Sequence, residues 1–291
     1  MPVYRRTYRN FEGSYRRSFR WALVFAQEWR LLLKFKIFIV LMLVAQLHTL
    51  LRLLQIVAYD VIMQDPNNVL TPILSQVQII VVNQRAFYDF VQLQAPMVLL
   101  MTLYAGAGMI CNDARNNLLD VYFSKPISWR DYVMGKVLAL VSLGLSITAL
   151  PAVVLVLMHN ILRPSWELLY ESWWWPGALT LFSLIIVLPC ALTVLACSAV
   201  LRSQGFAAIT VFMTIIVVSA MGGLLANLLR DRDYVLVSFP ATVYRLGTEL
   251  FDVPKLRFDV PWETSAIYVA VVCIVALLVI ARVIRRAEVA S

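Results

Sequence analysis

The residues that could carry out chemistry are few in this chain of 291 residues, and they are widely spaced. It has two histidines, His48 and His159. Neither belongs to an HExxH motif and the chain has no GxSxG motif, so the usual hydrolase arrangements are missing. Gly135-Lys136 is followed by Val137, where a Walker loop would have Ser or Thr. We therefore predict a chain that is not an enzyme by itself, with no catalytic residue and no directly bound cofactor.

The cysteines do not form a metal-binding or disulfide pattern. None belongs to a CxxC or Cys/His arrangement, and all fall within or at the edge of apolar stretches. They are Cys111, Cys190, Cys197 and Cys273. We predict no metal site, because a free cysteine most often serves as a small buried packing residue.

Composition indicates a membrane protein. Hydrophobic residues make up 61% of the chain, charged residues 14%, and the mean hydropathy is +0.78. In a water-soluble fold about a quarter of the residues are charged, so this chain has too few charged residues to cover a water-exposed surface. The formal net charge is +8. Since no basic soluble domain is present, we assign this excess to membrane topology and not to nucleic-acid binding.

Six stretches are apolar enough to cross a bilayer, for which a helix needs about 20 residues. They are approximately Ile37–Ala58, Leu93–Cys111, Val133–Met158, Gly177–Leu201, Phe206–Leu229 and Ser265–Ala281. The predicted fold is an all-α polytopic membrane protein with six transmembrane helices. Of the 25 Lys and Arg residues, 17 fall on the side of the two termini, which predicts that the N and C termini are both cytoplasmic.

Ionisable residues are rare inside these predicted spans. Their cores contain no Asp or Glu, which disfavours a proton- or sodium-coupled carrier. His48 and Arg52 lie one helical turn apart on one face of the first span. Two interpretations are open: Arg52 snorkels to the outer headgroups, or both residues belong to a substrate path that receives an anionic or lipid headgroup.

The segment before the first span predicts a basic amphipathic helix. At about 100° per residue, one stripe carries the polar residues Arg16, Arg20, Gln27, Arg30 and Lys34. The other side carries Trp21, Phe25, Trp29, Leu32 and Leu33. Such a helix lies in the membrane interface, either as a simple anchor or as an elbow that also meets a cytoplasmic partner. We divide the chain into this segment, residues 1–36, and one six-helix domain, residues 37–291.

The segment after the second span contains signals that end one helix and begin another. Arg115, Leu118 and Tyr122 have helical spacing, which predicts a short cytoplasmic helix from Asp113 to Phe123. Pro126 ends it, and Ser128 with Asp131 resembles a capping box that begins the next helix.

On the outer side of the membrane, the predicted loops are residues 59–92, 159–176 and 230–264. In the second of these, aromatic residues at helical spacing predict an interfacial helix, whereas periodicity leaves 59–92 undecided between helix and extended chain.

Residues 110–136 resemble the cytoplasmic segment of permease subunits of the ABC-2 transporter family. The matching residues are Ile110-Cys111-Asn112-Asp113-Ala114-Arg115, Leu118, Tyr122-Phe123-Ser124-Lys125-Pro126-Ile127-Ser128-Trp129-Arg130-Asp131-Tyr132 and Gly135-Lys136. Lys125 stands where the family has Arg, and Trp129 precedes Arg130. The resemblance extends over the whole chain through the six spans, the cytoplasmic ends and the amphipathic helix. It implies an ABC type-2 exporter permease fold.

The resemblance implies an ATP-driven exporter in a bacterial inner membrane. Two permeases, identical or related, would pair in the membrane, each docked on a separate ATPase subunit that holds ATP and Mg²⁺. The loop 112–132 would carry the coupling helix. Its candidate docking residues are Asp113, Arg115, Leu118, Leu119, Asp120, Tyr122, Lys125, Pro126 and Arg130. The cargo would be a lipid, polysaccharide, peptide or drug-like molecule; the alternative is a membrane anchor whose ATPase does mechanical or assembly work on envelope proteins.

Overall fold

The computed structural model describes residues 19–63, 81–163, 166–230, 232–253 and 261–290. Within these ranges the regular structure is helical. Up to residue 163 the helices are α1 (Arg20–Leu32), α2 (Lys36–Met63), α3 (Gln84–Gly106), α4 (Cys111–Arg115), α5 (Leu118–Phe123), α6 (Trp129–Ile147) and α7 (Ala149–Leu162). After them come α8 (Trp166–Ser172), α9 (Trp175–Val200), α10 (Gln204–Leu229), a 3₁₀ helix (Arg232–Val237), α11 (Phe239–Leu250) and α12 (Trp262–Ala290).

The six predicted spans are confirmed as six helical stretches long and apolar enough to cross a membrane. They are Lys36–Ile62, Gln84–Arg115, Trp129–Leu162, Trp166–Val200, Gln204–Leu229 and Trp262–Val289. Three of them contain short interruptions between consecutive helices, as at Thr148 between α6 and α7. The chain is therefore a multi-pass membrane protein by length and composition of its helices.

Helix α9 lies at the centre of the bundle, where it packs against α3, α6, α10 and α12. Its buried face carries small and apolar residues such as Phe182, Ile186 and Ala191. By contrast, α2 and α10 leave most of their apolar side chains exposed. Since apolar exposure on a membrane helix suits contact with lipid tails, these two helices form the periphery of the chain.

The loops on one side are partly helical. Helix α2 continues to Met63 and α3 begins at Gln84, so helix occupies both described ends of the 59–92 segment, while residues 64–80 lie outside the description. The helix predicted from the aromatic spacing is confirmed as α8, and its Trp166 and Tyr170 are exposed. In the 230–264 segment the 3₁₀ helix and α11 are described, and residues 254–260 are not.

Both ends of the described chain meet at the same end of the bundle, which we call the termini end. Glu28 of α1 contacts Lys136 near the beginning of α6. The backbone N–H of Trp129 donates to Glu288 Oε1, 3.2 Å away, in the last turn of α12. Helix α1, residues 111–128 and the end of α12 therefore surround the first turns of α6.

Candidate functional site

Helix α1 packs directly on α6 at the termini end. A Cβ atom on Gly135 would lie 2.6 Å from Val24 Cβ and 2.8 Å from the carbonyl oxygen of Trp21, so only a glycine allows this approach. The indole N–H of Trp29 also donates to Ser142 Oγ, 2.9 Å away. The apolar side of α1 thus covers protein as well as facing outward, which fixes its position relative to α6.

Four buried polar side chains meet beneath this contact: Glu28, Asp113, Tyr132 and Lys136, the Lys136 cluster. Lys136 is 1% exposed, and its ammonium group lies 2.5 Å from Glu28 Oε1 and 2.6 Å from Asp113 Oδ2. It also donates to the carbonyl oxygen of Met109, 3.0 Å away. All three ammonium protons therefore have an acceptor, which a buried lysine requires.

The cluster joins three elements that are distant in sequence. Tyr132 is fully buried and donates its hydroxyl to Asp113 Oδ2 at 2.7 Å. Glu28 comes from α1, Asp113 from α4, and both Tyr132 and Lys136 from α6. Withdrawing Glu28 or Asp113 from Lys136 would leave that buried carboxylate without its cation, so the three elements must move together or break the cluster.

The segment 111–128, which we call the hook, differs from the prediction of one helix over Asp113–Phe123. That prediction is wrong: α4 and α5 are separated at Asn116 and Asn117. Asn117 has φ 54°, in the left-handed region that asparagine adopts more readily than other residues with a Cβ. The predicted capping box is confirmed, since Ser128 Oγ accepts from Asp131 N and the Asp131 carboxylate accepts from Ser128 N.

One side of the hook rests on the bundle. Leu119 is 8% exposed and belongs to the core, and the rings of Tyr122 and Phe123 meet Tyr132 edge-on. Burial raises the pKa of the Tyr122 phenol above its usual value, so the group remains a neutral hydroxyl. Asp113, 9% exposed, points to Lys136. These side chains hold the hook in place.

The other side of the hook is exposed. Leu118 and Val121 form a small apolar patch there, 40% and 51% exposed. The remaining predicted docking residues are exposed around it: Arg115, Asp120, Lys125, Pro126 and Arg130. The structure thus separates the predicted set into residues that support the hook and residues that present a mixed apolar and charged surface. Val121 was not among the predicted residues.

Arg52 lines a cavity of about 740 Å³ at the opposite end of the bundle from the Lys136 cluster. The cavity also has Arg85, Asp89, Gln92 and Asp252 in its wall. Arg52 donates to Gln55 Oε1 at 2.6 Å. His48 does not line this cavity but stacks on Phe90, with ring centroids 5.0 Å apart. His48 and Arg52, which the sequence placed on one candidate path, therefore have different surroundings in the structure.

The predicted absence of carboxylates from the spans holds only for the shorter predicted limits. Helix α2 extends far enough to include Asp60, which is fully buried and lies 2.7 Å from His159 Nδ1. The observed second span, Gln84–Arg115, includes Asp89 and Asp113. Helices grow past the apolar core because their backbone hydrogen bonds continue locally whatever the side chains are.

Sequence reasoning missed Glu28, Lys136 and the His159–Asp60 pair as interacting residues. Glu28 is the one acidic residue of α1. It lies with Phe25 and Leu32 on the side of the helix that is otherwise apolar, which is a weak sign that its carboxylate is buried. Lys136 was noted in the sequence only as the end of the Gly-Lys pair, without a partner.

No protein-family model matches this chain, and the comparison with curated proteins finds no match either.

Proposed function

We propose that this chain is the membrane subunit of an ATP-driven exporter of the ABC-2 type. It would pair with a second permease, and a separate ATPase subunit would dock on the hook of each. In this proposal the termini end is cytoplasmic and the protein resides in a bacterial inner membrane. The carried molecule would be a lipid, polysaccharide, peptide or drug-like compound.

The Lys136 cluster is the observation that supports the proposal most. An ATPase can move a membrane helix only if the surface that it grips is rigidly attached to that helix. Asp113 is fixed to Lys136, and the capping box at Ser128, the last residue of the hook, begins α6 at Trp129. A displacement of the hook would therefore be transmitted to α6 and, through Glu28, to α1.

The exposed side of the hook suits a groove on a partner protein. A short helix with an apolar patch and flanking charges of both signs binds by burying the patch and pairing the charges at its rim. Leu118 and Val121 supply the patch, while Asp120 and Lys125 supply opposite charges. Leu119 and Asp113, which lie buried, support the hook in this arrangement and do not touch the ATPase.

The docking surface is tested by purifying the full chain from its own host in mild detergent. We expect a Walker-motif ATPase to co-purify, identified by its peptides and by ATP hydrolysis. The double variant Leu118→Asp/Val121→Asp should lose the ATPase and its hydrolysis while still inserting into the membrane. The matched control, Leu118→Met/Val121→Ile, should keep both.

Two results would count against the proposal. If Leu118→Asp/Val121→Asp retains the ATPase, the hook is not the docking surface. If the lone chain, reconstituted without nucleotide or a second protein, shows full transport, it is not an ABC permease. Where the ATPase docks but its hydrolysis does not rise with any amphiphilic compound tested, the alternative of a mechanical anchor replaces export.

A further inference from the structure

One face of α12 carries a basic groove at the termini end. Seven of its residues recur at spacings of three and four and share this face: Val275, Leu278, Val279, Arg282, Arg285, Arg286 and Val289. With Ala281 and Trp129 they line a groove of about 720 Å³. The opposite face of α12 is occupied, since Ile280 and Ile284 are fully buried in the core.

The chemistry of this face changes along the helix. Val275 and Leu278 are apolar and 54% and 64% exposed. One to two turns later, Arg282, Arg285 and Arg286 are also exposed. Among the residues that the structure describes, none of these three guanidinium groups forms an ion pair. The groove therefore offers an apolar wall that ends in three positive charges.

The length of the face matches one leaflet of a bilayer. Val275 and Arg286 are eleven positions apart, which at about 1.5 Å per residue gives roughly 16.5 Å. Half of the hydrocarbon core is about 15 Å thick. The arginines then lie at the level of the headgroups when the valine lies near the middle of the membrane.

We propose that this groove binds an anionic phospholipid. The phosphate lies among Arg282, Arg285 and Arg286, and an acyl chain lies along Val275 and Leu278. Trp129 closes one side at the height where indole rings prefer to lie. Three arginines on one face, none of them in an ion pair within the described ranges, would be repelled by a second copy of the same face, whereas basic pockets between transmembrane helices attract anionic headgroups. The inference does not depend on the ATPase.

The test uses the full chain in detergent with equimolar phosphatidylglycerol and phosphatidylcholine, and native mass spectrometry counts the lipids retained. The wild type should retain phosphatidylglycerol in preference. Arg282→Gln/Arg285→Gln/Arg286→Gln should lower that preference by on the order of tenfold, because each basic side chain near a membrane surface attracts anionic lipid appreciably. Replacing the same three residues with lysine should preserve most of it.

The matched control is Arg20→Gln/Arg30→Gln/Lys34→Gln, which removes three positive charges from α1 and the turn after it, at the same end of the bundle. If this control loses as much phosphatidylglycerol, the attraction is general to the surface and the proposal fails. It also fails if the glutamine variant of α12 retains the lipid, or if that variant converts a dimer to a monomer without losing lipid. Displacement by inorganic phosphate would exclude the acyl-chain contact.

Discussion

Lys136 shows how a buried charge can be tolerated in this chain. The ammonium group would be costly to bury alone, but two carboxylates and a carbonyl oxygen accept its three protons. A cluster of this kind contributes little net stability compared with an apolar core. It ties α1, α4 and α6 together, because within the described ranges neither carboxylate forms an ion pair with any other cation.

Replacing Lys136 with methionine should destabilise the protein strongly. Glu28 and Asp113 would be left close together and buried, and breaking such a pair costs about 3–5 kcal/mol. We expect a marked fall in the thermal unfolding midpoint of the purified chain. Adding Glu28→Gln and Asp113→Asn should recover much of the loss, while Lys34→Met, at an exposed position, should change little. An unchanged midpoint for Lys136→Met would contradict the cluster.

Asn117 is a second position where one residue decides local structure. Its left-handed backbone separates α4 from α5 and so sets the direction of the hook. Alanine should cost about 1–2 kcal/mol there, whereas glycine should be neutral or nearly so. Unfolding midpoints of Asn117→Ala and Asn117→Gly measure this difference. Equal midpoints for the two variants would show that the hook does not need the left-handed turn.

At the scale of elements, the contact between α1 and α6 decides whether the N-terminal helix is part of the bundle. Gly135 permits the approach, and the Trp29–Ser142 and Glu28–Lys136 bonds maintain it. The sequence predicted an amphipathic helix facing the membrane interface. The structure adds that one strip of this helix, including Val24, is buried against protein.

A valine at position 135 should displace α1 from α6. The added Cβ would come within 3 Å of both Val24 and the Trp21 carbonyl, and the backbone atom cannot move aside alone. We expect α1 to become accessible to limited proteolysis in detergent. The control is Gly223→Val, because nothing lies within 4 Å of the Cβ position there. If α1 stays protected in Gly135→Val, the close packing is not required.

At the scale of the whole molecule, the hook, α1 and the end of α12 share one end of the bundle, and α8 is the first helix of the fourth membrane-spanning stretch. The excess of Lys and Arg beside the termini predicts that their end is cytoplasmic. Transport or mechanical work by an inner ATPase requires that orientation, so it can be tested apart from any substrate.

Single cysteines placed in a chain without its four native cysteines would measure the orientation. Tyr170→Cys on α8 should react with a membrane-impermeant maleimide in intact cells, because this position is 82% exposed on the predicted outer side. Arg130→Cys, beside the hook, should react only after the membrane is opened. Labelling of Arg130→Cys in intact cells would place the hook outside and contradict the proposed ATPase docking.

The sequence by itself determined the six spans and the start of the α6 helix. Apolar length is a property of consecutive residues, and the capping box at Ser128 and Asp131 is formed within one turn, so neither needs distant partners. The tertiary structure alone decided that Lys136 pairs with residues 108 and 23 positions away. It also divided the hook into a supporting and an exposed side. Which charges meet in a buried site depends on how helices approach each other, and no local pattern in the chain encodes that approach.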